Sequence, residues 1–421
     1  MLIEVRIGIG KWKLKSIMAK LRREFKIYGN KIHKVPHLTL YGTFKCPKDK
    51  IKQVIECIES IGKRYSYLNF TIDGVDWVNG KKGKVIYFKI IPSEELKKFR
   101  LELAKELVKI VPHTKIWDKE FDREFLFHIT LAYKLSDSEF NKIWSYMSDS
   151  TSILSKILSA FKSREIDKKL ELKNFYLPTY GLRITLLSDK GRIICEYDLL
   201  QKRILSRKEA LNLSEWKRTL KLFRIKAGME CTEAIKVRRR KTIFFIGDLH
   251  LDHANIIRYC SRPFSFYDVK EMNEVLIKNW NCTVNPDDKV YFLGDLVFGK
   301  KSKPAKFYLK HLNGDIILLK GSHDRGLEGT KEYEILQTGN HKFLILHNPD
   351  TKPIEWNDWV IHAHKHNNDI KAYPFINGKS KTINVSVELI NYKPVSLDFL
   401  LYLDIDSIKR MDTINSKPIR W

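Results

Sequence analysis

One short pattern, His-x-Thr-Leu, occurs twice in the first half of this chain, as His37-Leu38-Thr39-Leu40 and as His128-Ile129-Thr130-Leu131. Both copies sit in β-branched, strand-like surroundings. Along a strand the side chains at i and i+2 point to the same face, so each copy offers an imidazole and a hydroxyl side by side. A fold that sets two such strands facing each other gathers four polar groups in one groove. A single His-x-Thr is most simply a satisfied histidine on a strand. Two copies in matching contexts, about ninety residues apart, argue for a shared site.

The pattern around them is α+β. Strands are predicted at 3–9, 37–44, 67–72, 84–91, 128–133, 172–177, 182–187 and 193–199, and helices at about 12–27, 48–63, 93–110 and 137–160. Two imidazoles with two hydroxyls suit a cyclic phosphodiester. One histidine takes a proton from water while the other protonates the leaving ribose oxygen. The threonines donate to the non-bridging oxygens, where charge builds in the transition state. No metal is required there.

The stretches PHLTLYGTF and FHITLAY resemble the paired motifs of the 2H phosphoesterase superfamily, which includes the RNA 2′,3′-cyclic phosphodiesterases historically called 2′-5′ RNA ligases. The resemblance covers roughly residues 1–200. It implies a bilobal α+β domain with the groove between pseudo-symmetric halves, His37, Thr39, His128 and Thr130 as the catalytic residues, and opening of the cyclic phosphate to a 2′-phosphate. Phe44, Phe127 and Tyr133 are placed either to stack a base or to fill the core.

Residues 202–241 differ from what precedes them. They hold fourteen Lys or Arg against four Glu, within a chain of net charge +27. Such an excess attracts polyanions, nucleic acid first among them; a lysine-rich surface without a partner is the plainer alternative. SRKEALNLSEWKRTLKLFRIKAG reads as a helix, with Ser206 and Glu209 as an N-cap pair and Gly228 as its stop. It is either docked on the first domain or a linker. The run RRRK at 238–241 contacts phosphate or is simply solvated.

From Thr242 onward, apolar strands end in loops rich in metal-ligand residues: Asp248-Leu249-His250, Gly294-Asp295, Gly321-Ser322-His323-Asp324, His347 and His364-Lys365-His366. Asp and His at i and i+2 can chelate one ion, and a second carboxylate can bridge two. Mixed His/carboxylate sets suit Mn, Fe or Zn better than Ca or Mg. Paired ions clamp both ends of a phosphoryl displacement. Of thirteen histidines, five fall in these loops, which a chance distribution does not produce.

This half resembles the calcineurin-like metallophosphoesterases, whose pattern is DxH, GD, GNHD, a lone His, then GHxH. GDLHLDHANIIRYC and NVSVELINYKPVSLD resemble one bacterial and phage-type branch. The resemblance implies an α/β sandwich of two mixed β-sheets flanked by helices. It places Asp248, His250, Asp295 and His366 on a first metal. Asp295 bridges, and Ser322, His347 and His364 complete the second. His323 becomes an acid or phosphate binder, steered by Asp324. Two positions depart from the family: Ser322 stands for Asn, a shorter and weaker ligand, and Ala363 stands for Gly.

The expected architecture is a 2H-like domain over 1–200, a basic helical segment over 201–241 and a metallophosphoesterase domain over 242–421. The expected function is RNA 3′-end processing, acting on RNA or an oligonucleotide with a phosphate terminus. Cyclic or 2′-5′-linked oligonucleotide signals are an alternative substrate, and a binding scaffold with a metal site weakened by Ser322 is a third reading. The six cysteines form no CxxC pair and are expected as reduced thiols. No apolar run approaches the roughly 18 residues of a membrane span, and the alternating N-terminus does not read as a signal peptide, so a cytoplasmic location is expected.

Overall fold

The computed structural model describes residues 1–25, 31–32, 35–111, 118, 121, 124–148, 172, 175–232, 240–299, 301–324 and 327–421. The chain divides into two compact units, 1–219 and 220–421.

Among the described residues, the first unit holds two antiparallel sheets. One has five strands in the order β2-β1-β7-β8-β9, with β1 Leu2–Arg6, β2 His37–Tyr41, β7 Arg183–Leu187, β8 Ile193–Asp198 and β9 Arg203–Ser206. The other has four in the order β5-β4-β3-β6, with β3 Leu68–Gly80, β4 Gly83–Pro92, β5 His128–Leu135 and β6 Tyr176–Gly181. Each His-x-Thr motif therefore opens an edge strand, and β2 and β5 come together. Both strands alternate. Leu38, Leu40, Ile129 and Leu131 are fully buried in the core, so His37, Thr39, His128 and Thr130 are left half-buried on the opposite face. Period-2 geometry turns four apolar anchors into a fixed direction for four polar groups.

Helices Lys11–Phe25, Ile51–Gly62, Glu94–Ile110 and Asp137–Ser148 match the predicted helical segments; residues 26–27 of the first and 149–160 of the last lie outside the described ones. The strand expected at 172–177 begins only at Tyr176.

The basic stretch is not one helix. It forms β9, a short helix Arg207–Ala210 with a complete Ser206–Glu209 capping box, and a second helix Leu213–Lys226. The break comes at Asn212, whose side chain accepts from the N–H of Ser214 at 2.8 Å and so caps the second helix. Gly228, at φ 70°, follows its end. The division between the two units falls inside this helix, at 219. Residues 233–239 lie outside the described ones.

The second unit holds two mixed sheets. The smaller has the order β12-β11-β10-β18: β10 Ile243–Ile246, β11 Lys289–Phe292 and β12 Asp315–Leu318 are parallel, and β18 Val395–Ser396 is antiparallel to β10. The larger has seven strands, of which β14 His341–Leu346, β15 Trp359–His362 and β17 Thr382–Asn384 run parallel at its centre. Five predicted ligand segments follow the C-terminal ends of β10, β11, β12, β14 and β15, where parallel strands commonly gather a ligand. The six cysteines are free. Among the described residues no helix is long and apolar enough to cross a membrane.

Two candidate active sites

In the first unit the two motifs are held by matching strand pairs. In one, Glu4 pairs with Thr39, Val5 with Leu38 and Arg6 with His37. In the other, Tyr87 pairs with Thr130, Phe88 with Ile129 and Lys89 with His128. The imidazoles are fixed alike. His37 Nδ1 lies 2.9 Å from the carbonyl oxygen of Val35, and His128 Nδ1 lies 2.9 Å from that of Leu126. A carbonyl only accepts, so each Nδ1 carries the hydrogen, and Nε2 is left as the working nitrogen. Burial and the nearby His37 hold the His128 ring below the usual histidine range. A neutral imidazole with a free Nε2 is a proton acceptor. Phe44 and Phe127 belong to the core, 3% and 7% exposed, and offer no face to a base; Tyr133 is half-buried.

In the second unit the strand-end loops converge. Asp248, His250 and His366 offer ligand atoms within 4.8 Å of one another, and so do Asp295, His347 and His364. The groups adjoin, since Asp295 Oδ2 is 3.5 Å from His250 Nε2 and 3.6 Å from His347 Nε2. Ser322 Oγ lies 3.4 Å from both His347 Nε2 and His364 Nδ1. His323 donates its backbone N–H to Asp295 Oδ1 at 2.8 Å, and its ring packs against Phe298.

The backbone is bent to achieve this. Asp248, His250, Asp295, His364 and His366 all have φ between 48° and 68°, the left-handed region that side-chain-bearing residues avoid. Each such residue costs about 1–3 kcal/mol and persists only where its surroundings impose it, typically at functional sites.

The donor set fits cations. Asp248 Oδ1 and His250 Nε2 are buried without a hydrogen-bond partner, an arrangement costly for a carboxylate and an imidazole unless something positive joins them. His347 Nδ1 lies 2.6 Å from the Leu293 carbonyl, which makes Nε2 its lone-pair atom, and that atom is 3.1 Å from His364 Nδ1. Burial, with His366 and Arg262 adding to it, holds His250 well below the usual histidine range.

Asp324, expected to steer His323, is held by the backbone. Its carboxylate accepts the backbone N–H groups of Asp295 at 2.7 Å, Leu296 at 3.0 Å and Gly321 at 3.0 Å. Three backbone donors occupy it, and it fixes the loop that carries Asp295. Two further residues escaped the sequence reading. Glu388 faces His366 Nδ1 at 3.2 Å. Arg262 donates to Glu388 at 2.8 Å and to the carbonyls of Leu249 and Asp248 at 2.8 and 2.7 Å, which ties the Asp-x-His loop to the His-x-His loop. The only sequence signal for Glu388 was its place in NVSVEL. Burial favours its neutral form, yet Arg262 and His366 hold its pKa down at about 2. Burial works against charge on His366, but Asp248 and Glu388 outweigh it and hold that ring well above the usual range.

Residues 11–158 match the model of the 2′-5′ RNA ligase superfamily, and residues 241–413 that of the calcineurin-like phosphoesterases. The uncharacterized protein MJ1445 of Methanocaldococcus jannaschii is 49% identical over 177 residues, 42% of this chain and 97% of that protein. Among solved structures, the protein of unknown function AQ665 from Aquifex aeolicus is 26% identical, with 39% of this chain and 100% of that one covered and a TM-score of 0.31. E. coli LigT, solved with 3′-AMP, is 13% identical over 44% of this chain and 84% of its own, with a TM-score of 0.26. The E. coli phosphoesterase Yfce is 15% identical over 34% of this chain and 78% of its own, with a TM-score of 0.20.

Proposed function

We propose, for a chain that belongs to the 2′-5′ RNA ligase superfamily in its first half and to the calcineurin-like phosphoesterases in its second, that it processes RNA 3′ ends in two steps. Both families are hydrolytic phosphoesterases, so the chain is a phosphoric ester hydrolase. The first site opens a 2′,3′-cyclic phosphate, and the second removes the resulting phosphomonoester or acts on a related ester. The observation that carries the reading is the matched fixing of His37 and His128, each with Nδ1 at 2.9 Å from a backbone carbonyl and a threonine two residues on, on strands that come together. That is the equipment for moving one proton in and one out while the hydroxyls hold the phosphate.

Membership of the calcineurin-like family implies divalent metal, and the ligand groups are present. Asp248, His250 and His366 would hold one ion, and His347, His364 and Ser322 would hold a second, with Asp295 available to either; Mn, Fe or Zn would suit these ligands. When bound the ions supply Lewis acidity to the phosphoryl oxygens. The chain's own residues position the substrate: His323 stands at the rim to meet the leaving group or a phosphate oxygen. The net charge of +27 supports a polyanionic partner.

The test is a short RNA ending in a 2′,3′-cyclic phosphate, incubated with Mn²⁺ or with EDTA. Ring opening should survive EDTA, and phosphate release should need metal. Absence of ring opening under both conditions rules out the RNA-end reading. His37→Ala or His128→Ala should slow opening by about 10²–10⁴-fold and leave metal binding intact, while Asp295→Ala should weaken metal binding and leave opening intact.

A further inference from the structure

In both halves of the first groove an inner-strand residue pairs with the histidine and another with the threonine, and the chemistry differs most where the inner strands face the threonines. Beside Thr39 stands Glu4, and beside Thr130 stands Tyr87. Glu4 is 2% exposed, an unusual place for a carboxylate. Its Oε1 accepts from Arg6 Nε at 3.0 Å, and its Oε2 lies 3.8 Å from His37 Nε2. Arg6 is the more exposed partner, at 29% against 3% for the Glu4 side chain, so water screens its charge more than that of the carboxylate. On the other side the ring of Tyr87 meets that of His128 edge-on, with centroids 5.5 Å apart. A phenol ring offers no negative charge to balance an imidazolium.

We propose that Glu4 is a positioning residue of this site: it balances the charge of His37 when that ring carries the proton, so His37 is the donor and His128 the acceptor. The inference rests on the ring-opening reading above. The depressed basicity of the His128 ring agrees with its role as the neutral partner. In the step, water attacks phosphorus and gives its proton to His128 Nε2. The bond from phosphorus to the ribose 3′ oxygen breaks, and that oxygen leaves with the electron pair and takes the proton of His37 Nε2. One water is added, a 2′-phosphate and a 3′-hydroxyl result, and the two rings have exchanged protonation states, which solvent resets.

The test compares a nucleoside 2′,3′-cyclic phosphate with its analogue in which sulfur replaces the bridging 3′ oxygen, both in EDTA. A thiolate leaves without a proton, so the sulfur ring needs an acceptor and no donor. On the oxygen ring His37→Ala and His128→Ala should each slow opening by about 10²–10⁴-fold, the usual worth of a positioned acid or base. On the sulfur ring His37→Ala should recover to within about tenfold of wild type, and His128→Ala should not. Glu4→Gln should lose about tenfold on oxygen and less than about twofold on sulfur, a leaving-group dependence that a merely structural role does not produce. Recovery of His128→Ala instead, or no recovery by either variant, overturns the assignment. The His37 and His128 arms stand even if Glu4→Gln folds poorly, because both rings are half-buried at the surface of an edge strand. A wild-type protein that opens neither ring overturns the ring-opening reading itself.

Discussion

The carboxylate of Glu388 lies 3.2 Å from Nδ1 of His366, and the two side chains are only 1% and 10% exposed. A carboxylate on one ring nitrogen fixes the tautomer and directs the other nitrogen at an ion, an arrangement whose loss typically costs 10–100-fold in metal affinity. Glu388→Gln keeps the shape and removes the charge. It should weaken the tighter metal site by roughly 10–100-fold in a calorimetric titration, while EDTA-resistant ring opening stays at the wild-type rate. Unchanged metal affinity would show that His366 is held by something else.

Ser322 presents its hydroxyl 3.4 Å from nitrogen atoms of both His347 and His364. Its side chain is exposed, so a longer residue has room. Ser322→Asn should raise the metal content of purified protein from about one ion per chain toward about two, the number a dinuclear phosphoesterase uses. Phosphate release should rise with it. If metal content and rate both stay level, the hydroxyl already suffices and the weakened-site reading fails.

What was legible in the sequence was local. Asp248 and His250 announce themselves because two ligands at i and i+2 follow an apolar strand, and the His-x-Thr motifs because alternation survives into the structure. Asp295, His347 and His364 were legible as strand-end residues, and the fold then brought them within reach of one another. Glu388 was not, because its partner His366 is 22 residues away and no fixed spacing links them. Arg262 is harder still: a buried guanidinium looks in sequence like any basic surface residue. Asp324 was visible, but its hold on the backbone was not, because backbone donors leave no trace in a sequence. The break at Asn212 had a signal, an Asn followed three residues later by Glu215, and the continuous amphipathic pattern hid it.

His362 sits at the end of β15, fully buried, with Nε2 unpartnered and Nδ1 2.9 Å from the carbonyl of Ala363. Burial pushes its pKa down to about 4 from the usual 6.5. The native state therefore keeps it neutral where the unfolded chain protonates it. Stability is then lost as pH falls below the unfolded value, and loss continues until the folded value is passed. At pH 5 this linkage amounts to about 2 kcal/mol. In metal-free protein, the drop in Tm between pH 7 and pH 5 should be smaller for His362→Leu than for wild type, and this difference cancels the other histidines. Equal drops would mean the ring is protonated, or water-paired, in the native state.

Gly247 and Ala363 precede Asp248 and His364, and they meet where the two sheets of the second unit deliver their loops. A Cβ at position 247 would stand 2.5 Å from the Cβ of Ala363 and 3.2 Å from that of Leu293. The alanine methyl thus fills the space that glycine leaves. Gly247→Ala should cost about 1–3 kcal/mol in urea unfolding, the usual penalty for overpacking. Ala363→Gly on top of it should restore a coupling of about 1 kcal/mol, short of full recovery because the Leu293 contact remains. Metal affinity should follow the same order, since both residues set the backbone from which ligands project. Strictly additive costs for the two substitutions would show that the methyl and the glycine do not share that space.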